Sequence, residues 1–235
     1  MRAAVSASVT ALCLAFAGAA LVGAQGAQQD ETVHKIAGGG ISVPGWDGNV
    51  DPNQPGAPTI ADGKFMAENG GFHIITGPAG NYWNLKNTAN GDYTVSAKFT
   101  EPKFQNLNDH PHPYGVFIAG NKLGTPNASL LYCSAYGDGT FIVRGFGPAP
   151  FQMGGRRPTP NDAVHKAPGL GQPVDQTIAL SVKGGHVDCV INGTVVAGYD
   201  KADLVATGKL ESLDGVYGIR VAHNTEFLVT EFGKR

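Results

Sequence analysis

The sequence predicts an all-β fold, an antiparallel β-sandwich of the jelly-roll type with about twelve strands and at most one short helix. From Lys64 onward apolar and polar residues alternate, mostly with a period of two, and many are β-branched or aromatic, as in half-buried strands. Turns such as "ANGD", "GDGT", "KGGH" and "NGT" supply the Gly and Asn that tight hairpins need for positive φ. The 34 Gly and 15 Pro fall between short apolar runs, which indicates many strands rather than one disordered tract.

The N-terminus has the pattern of a secretory signal peptide over residues 1–24. One Arg precedes an apolar run of small residues and Leu, and small residues at Val22 and Ala24 match a cleavage site after Ala24. An uncleaved membrane anchor is the alternative, because the run is nearly long enough to span a bilayer. We therefore expect a secreted or periplasmic protein without membrane contact after cleavage.

The charge of the chain disfavours two kinds of partner. The net charge is -2 and only 15% of the residues are charged. No basic surface is therefore expected for nucleic acid or for an anionic membrane. Nothing in the sequence indicates an oligomeric state.

The mature chain divides into an irregular lead-in over residues 25–60 and a sandwich domain over residues 61–235. The lead-in ends in "VPGWDGNVDPNQPGAPT", whose Pro and Gly oppose regular structure over most of the segment, and Trp46 is expected to pin it to the core. The predicted strands are "KFMAEN", "GFHIITG", "NYWNLKN", "DYTVSAKFT", "YGVFIAG", "SLLYCSAYG", "TFIVRGF", "QTIALSVKG", "HVDCVING", "TVVAGY", "VYGIRVAH" and "EFLVTEFG".

Two segments of the domain depart from the strand pattern. "YDKADLVA", residues 199–206, predicts one or two helical turns. Residues 145–173 are too rich in Pro and Gly for a strand and are predicted to form a long loop, and loops of that length are often functional.

Two cysteines remain after cleavage, Cys133 and Cys189. An oxidising compartment would let them form a disulfide. The alternative is two buried free thiols in neighbouring strands.

The stretch "NDHPHPYG" carries a candidate site at Asp109, His110 and His112. The flanking prolines favour an extended backbone, in which side chains two positions apart share a face. Both imidazoles could then face one sugar hydroxyl or one ion, and two His with a carboxylate suit a first-row divalent metal. Spacing fixes no third ligand, so no metal ligands are assigned. Whether the protein binds a divalent metal as a cofactor stays open. The alternative is a stiff surface loop with solvated histidines.

A second candidate site lies in "IRVAHNTEF". Alternation places Arg220 on one face of this strand and Val221 and His223 on the other, so Arg220 or His223 is expected to line the concave sheet. Asn224 is a candidate ligand-binding residue beside them. The alternative is that His223 and Asn224 are turn residues, since Asn tolerates the left-handed conformation.

Aromatic platforms commonly hold sugar rings in β-sandwiches. Trp83 and Tyr114 are the candidates, because each lies among polar or turn residues. Arg144 in "FIVRGFG" is predicted to face away from the apolar side chains of its strand, including Ile142, and to contact a ligand.

The C-terminal stretches "QTIALSVKGGHVDCVINGTVVAGYDKADL" and "GVYGIRVAHNTEFLVTEFG" resemble the concanavalin A-like lectin/glucanase jelly roll. The resemblance is closest to the secreted bacterial 3-keto-disaccharide hydrolase-like domains of unknown function, and "DGKFMAENGGFHIITG" fits their opening hairpin. It covers residues 60–235 and implies the same fold. "HPYGVFIAG" replaces the Asn-Ser-Gly turn of that family, and "SLLYCSAYG" replaces its acidic central strand.

Three functions follow as hypotheses. The first is a secreted protein that binds carbohydrate or a cell-surface glycan on its concave face. The second is an enzyme that cleaves 3-keto-glycosides, with His110, His112 and His223 as base or metal ligands. The third is an interaction domain without a small ligand. Ordinary glucanase chemistry is disfavoured, because no Glu-x-Asp-x-x-Glu strand supplies its two carboxylates.

Overall fold

The computed structural model describes residues 31–235 and contains sixteen strands. In chain order the first eight are β1 (Gly40–Ile41), β2 (Trp46–Val50), β3 (Lys64–Glu68), β4 (Gly71–Ile75), β5 (Gly80–Ala89), β6 (Tyr93–Glu101), β7 (Tyr114–Asn121) and β8 (Ser129–Ala135). The second eight are β9 (Thr140–Phe146), β10 (Pro150–Gln152), β11 (Thr159–Pro160), β12 (Val174–Lys183), β13 (His186–Ile191), β14 (Thr194–Asp200), β15 (Gly215–Val221) and β16 (Glu226–Lys234). A 3-10 turn covers Ile60–Asp62, and α1 covers Lys201–Leu204.

The strands form two sheets of a sandwich. The first sheet has the order β1-β3-β4-β16-β6-β12-β13-β14. The second has the order β10-β9-β8-β7-β15-β5-β2, with β11 also paired to β9. All pairs are antiparallel except β1 with β3. The predicted antiparallel jelly-roll sandwich is confirmed.

All twelve runs predicted from alternation are strands, and the one-turn helix lies within residues 199–206 as predicted. Four short strands were not predicted. β1 and β2 lie in the lead-in, and β10 and β11 lie in the segment 145–173, so neither segment is wholly irregular. These strands lie at or beside sheet edges, where backbone pairing holds them without an alternating pattern, and edge positions tolerate Pro150 and Pro160.

Aromatic rings fill part of the core between the two sheets. Trp46 of β2 contacts Phe65, Phe72 and Phe232 of the first sheet, at centroid distances of 4.9, 4.8 and 5.5 Å. Such contacts add to the free energy gained by burying the rings. The expectation that Trp46 pins the lead-in to the core is confirmed.

The disulfide between Cys133 and Cys189 is present, with Cα atoms 5.8 Å apart. Cys133 lies on β8 of the second sheet and Cys189 on β13 of the first. The sequence left this bond open as one of two alternatives, and in the structure it joins the two sheets across the core. The alternative of two free thiols in neighbouring strands is wrong.

The second sheet is buried on both faces over β7 and β8. A second apolar cluster lies on its outer face, away from the first sheet, and consists of Trp83, Phe117, Leu130, Tyr132 and Ile142. Central strands covered on both faces read as continuous apolar runs, as "YGVFIAG" and "SLLYCSA" do.

Within residues 31–235, no helix has both the length and the apolar character needed to cross a membrane. The predicted signal peptide, residues 1–24, lies outside the described residues.

Candidate functional site

Three histidines from distant parts of the chain meet at one end of the sandwich. His110 and His112 precede β7, and His223 follows β15. These strands are antiparallel neighbours in which Tyr114 pairs with Val221, so the start of one lies beside the end of the other. The convergence therefore follows from the register of the sheet. We call His110, His112 and His223 the histidine cluster.

The rings of the histidine cluster are in close contact. The centroid of His112 lies 4.2 Å from that of His110 and 4.1 Å from that of His223. The Nε2 atoms of His110 and His112 are 2.6 Å apart. One potential ligand atom from each of the three residues lies within 4.8 Å of the others, so the set could hold a transition-metal ion.

Burial keeps the central imidazole neutral. Burial, together with the neighbouring His223 and His110, lowers the pKa of His112 to about 3, against an opposing effect of Asp109. At neutral pH His112 therefore carries a free nitrogen lone pair. The Asp109 carboxylate is 2.5 Å from Nδ1 of His110, which leaves Nε2 of His110 facing His112.

A segment of the lead-in crosses this end of the sandwich. We call residues 31–35 the strap. Asn224 holds it, because its Oδ1 accepts from the backbone N–H of His34 at 2.9 Å and its Nδ2 donates to the carbonyl of Thr32 at 2.7 Å. The strap also needs Gly77, where a Cβ atom would lie 1.9 Å from the carbonyl oxygen of His34.

Asn224 thus has a role that the sequence interpretation missed. Its side chain is buried and is engaged by the strap, so its predicted place among the ligand-binding residues is corrected. The turn conformation given as the alternative is present, since its φ is 49°.

The strap places a carboxylate on the histidine cluster. Oε1 of Glu31 is 3.7 Å from Nε2 of His110, and its Oε2 is 3.5 Å from Nε2 of His223. Glu31 was not a predicted site residue, because no local pattern links it to histidines so distant along the chain.

A second concave feature lies against the outer face of the second sheet. We call it the outer-face cavity, and its volume is about 770 Å³. Its polar lining residues are Asn49, Asp51, Asn53, Gln54, Asn81 and Thr125. Its apolar wall includes Leu130, Phe146 and the prolines Pro52, Pro58, Pro126, Pro148 and Pro150.

Arg220 lies behind the wall of this cavity, in contact with its lining residues Asp51 and Phe146. Its two terminal nitrogens donate to the two carboxylate oxygens of Asp51, each at 2.5 Å. Its guanidinium carbon lies 5.0 Å from the ring centroid of Tyr132 and 5.4 Å from that of Phe146. Burial opposes the charged form, but Asp51 and Tyr132 outweigh burial and raise the pKa of Arg220 above its ordinary value. The predicted orientation is present, since Arg220 lies opposite the core residue Val221.

Two other predicted ligand contacts are buried. Trp83 is 2% exposed in the outer-face cluster, and Tyr114 is fully buried between the sheets. Neither ring presents a face to a ligand, so the platform interpretation is corrected. Both rings belong to strands of the second sheet, which has apolar clusters packed on each of its two faces. Their polar neighbours in the sequence did not indicate this burial.

Arg144 does not face away from Ile142 as predicted. Residues two apart in a strand share a face, and Arg144 pairs with Tyr132 on the outer face that also holds Ile142. Its Nη2 donates to the carbonyl of Arg156 at 2.8 Å. Arg144 lies on β9 and does not contribute to the histidine cluster.

Comparison with known proteins identifies the architecture. No family model matches the chain, and no curated protein sequence matches it. A carbohydrate-binding module, CBM66 from Bacillus subtilis, superposes with a TM-score of 0.52 and 11% identity, covering 84% of this chain and 99% of that one. A protein of unknown function with a galectin-like fold, also from Bacillus subtilis, gives 0.52 and 14%, covering 81% and 88%. The chain therefore has the galectin-like, concanavalin A-like jelly-roll fold that its sequence resembles.

Proposed function

We propose that this protein is an exported carbohydrate-binding sandwich that holds a saccharide in the outer-face cavity. The observation that carries the proposal is the composition of that cavity, where amide and carboxylate groups lie beside the ring of Phe146. Saccharides offer hydroxyls to such polar groups and an apolar ring face to an aromatic side chain. The similarity in fold to a carbohydrate-binding module supports the same class of ligand.

The cavity wall is organised before any ligand arrives. Gln54 donates to the carbonyls of Asp51 and Ala79 at 3.1 and 2.9 Å, and its Oε1 accepts from the N–H of Ala79 at 2.7 Å. Nδ2 of Asn81 donates to Oδ1 of Asn49 at 3.2 Å, which fixes both amides. Prolines stiffen the surrounding loops. Fixed polar groups lower the entropy lost on binding, which favours a specific ligand.

Titration calorimetry against a panel of oligosaccharides tests this function. We expect heat of binding with at least one glycan and no dependence on chelator. Asn49→Ala removes one amide from the cavity and should weaken binding roughly 3–10-fold, the usual effect of one hydrogen bond. Asn90→Ala changes an exposed turn residue outside the cavity and serves as the matched control. No heat with any glycan, or unchanged affinity in Asn49→Ala, would contradict the proposal.

Export is part of the same proposal. It rests on the signal-peptide pattern of residues 1–24. Mass spectrometry of the exported protein should find Gln25 at the N-terminus. A retained protein that begins at Met1 would contradict export.

Cleavage of 3-keto-glycosides is a second candidate function. The convergence of the histidine cluster favours it, because a base must remove the proton beside the ketone before the glycosidic oxygen departs. Incubation with 3-keto-disaccharides should then release free sugar. The lowered pKa of His112 makes its imidazole a weak base, so His110→Ala or His223→Ala should abolish the release. If neither binding nor turnover is found, the interaction-domain hypothesis gains support.

A further inference from the structure

We propose that the histidine cluster is a binding site for one Zn²⁺ ion, coordinated by ring nitrogens of His110, His112 and His223. This site lies at the end of the sandwich and its ligands are separate from the lining of the outer-face cavity. The proposal therefore goes beyond carbohydrate binding and does not depend on it.

The positions of the nitrogens suit a single small ion. Zn–N bonds of about 2.0–2.1 Å place the nitrogens of a tetrahedral site about 3.4 Å apart. The Nε2 atoms of His110 and His112 are 2.6 Å apart, and all three candidate ligand atoms lie within 4.8 Å of one another. Movements of about 1 Å in the side chains therefore bring the three nitrogens onto one ion.

Asp109 has the position of the group that orients a metal-bound histidine. Its carboxylate accepts from Nδ1 of His110 at 2.5 Å, which fixes the tautomer whose lone pair is on Nε2. Metal-binding histidines commonly donate their second ring nitrogen to a carboxylate, which orients the ring and makes it more basic.

The fourth coordination position faces Glu31. Its two carboxylate oxygens lie 3.5 and 3.7 Å from Nε2 of His223 and of His110. Its side chain is 59% exposed, so it has room to move onto the ion. The carboxylates of Glu31 and Asp109 together offset the two charges of the cation.

The ligand set selects the class of metal. Three imidazoles suit Zn²⁺ and its transition-metal neighbours, whereas Ca²⁺ and Mg²⁺ require oxygen ligands. Two other histidines of the described chain, His73 and His186, each lie between two carboxylates without a second histidine. Their ring nitrogens contact carboxylates and no other histidine, so His186 is a suitable control.

The test uses the exported protein without a histidine tag, stripped with chelator and titrated with Zn²⁺ by calorimetry. We expect one ion per chain. Co²⁺ should produce the visible absorption of a tetrahedral site. His112→Ala should weaken Zn²⁺ binding by at least about 100-fold, and Asp109→Asn by about 10–100-fold, as found for orienting carboxylates. His186→Ala should bind Zn²⁺ as the unchanged protein does.

Three results would overturn the proposal: no stoichiometric binding, unchanged affinity in His112→Ala, or equal loss in His186→Ala. Circular dichroism checks the fold of each variant. If His112→Ala does not fold, His110→Ala provides the same test, because His110 lies in the loop before β7 and is only partly buried. Retained affinity there would also overturn the proposal.

Discussion

The ion pair between Arg220 and Asp51 is the most deeply buried pair of opposite charges in the described structure, with side chains 10% and 18% exposed. Removing one partner of a buried pair leaves the other charge uncompensated, which costs about 3–5 kcal/mol. We therefore expect Arg220→Ala to lower the free energy of unfolding by about that amount. Urea denaturation followed by tryptophan fluorescence measures it.

Two variants control this prediction. Arg144→Ala removes a partly exposed guanidinium that bonds one carbonyl, and we expect a loss below about 1.5 kcal/mol. The double variant Arg220→Met with Asp51→Leu removes both charges and should be more stable than Arg220→Ala. If Arg220→Ala were no less stable than Arg144→Ala, the buried pair would not hold the outer face together.

Glu101 makes the stability depend on pH. Burial raises the pKa of Glu101 to about 7 from an ordinary 4.5, against the lowering effect of the N–H of Gln105. Below pH 4.5 the carboxyl is protonated in both states and carries no penalty. As pH rises toward 7 the unfolded chain ionises first, so stability falls, by about 3 kcal/mol in total.

We expect Glu101→Gln to remove this fall, so that the variant is more stable than the unchanged protein at pH 8 and similar to it at pH 4. Glu211→Gln is the matched control, because Glu211 forms an exposed pair with Lys122. The midpoints of urea unfolding, measured from pH 4 to pH 8 for the three proteins, test this expectation. A parallel pH dependence in Glu101→Gln and the unchanged protein would show that Glu101 is not the group responsible.

Sequence patterns predicted the orientation of a side chain within its own strand, but not its contacts with residues distant along the chain. Alternation correctly placed Arg220 opposite Val221, yet nothing local could reveal Asp51 as its partner or Glu31 as a neighbour of the histidines. The convergence of His223 with the "HPH" pair depends on strand register, which spacing does not contain.

At the scale of elements, the strands that alternate were predictable because one of their faces meets the core. β1, β2, β10 and β11 were not, since backbone pairing at the edges holds them. The strap is a further element that the sequence did not predict. It has no regular structure and depends on two side-chain hydrogen bonds from Asn224.

We therefore expect Asn224→Gly to release the strap. Glycine keeps the positive φ of this position without strain, so the variant removes only the side-chain hydrogen bonds. Loss of two such bonds weakens local attachment by about 1–3 kcal/mol. Hydrogen exchange at the amide of His34 should accelerate roughly 5–150-fold.

Asn108→Ala is the control for the strap, because Asn108 bonds the carbonyls of His223 and Asn224 and not the strap. We expect slower exchange at His34 in this variant than in Asn224→Gly. Equal protection in Asn224→Gly and the unchanged protein would mean that other contacts hold residues 31–35.

At the scale of the whole molecule, the two sheets are joined by the disulfide between Cys133 and Cys189, which are 56 residues apart. A crosslink that closes a loop of this length removes entropy from the unfolded chain worth about 4 kcal/mol, with 2–4 kcal/mol typical in practice. Both sulfurs are buried, so reductant reaches them only when the sandwich opens.

We therefore expect urea unfolding with dithiothreitol to show a lower midpoint than unfolding without it, by an equivalent of about 2–4 kcal/mol. The same comparison in Cys133→Ala with Cys189→Ala should show no effect of reductant, which separates loss of the crosslink from any other action of the thiol. Coincident midpoints with and without reductant in the unchanged protein would show that packing between the sheets, rather than the covalent link, determines their stability.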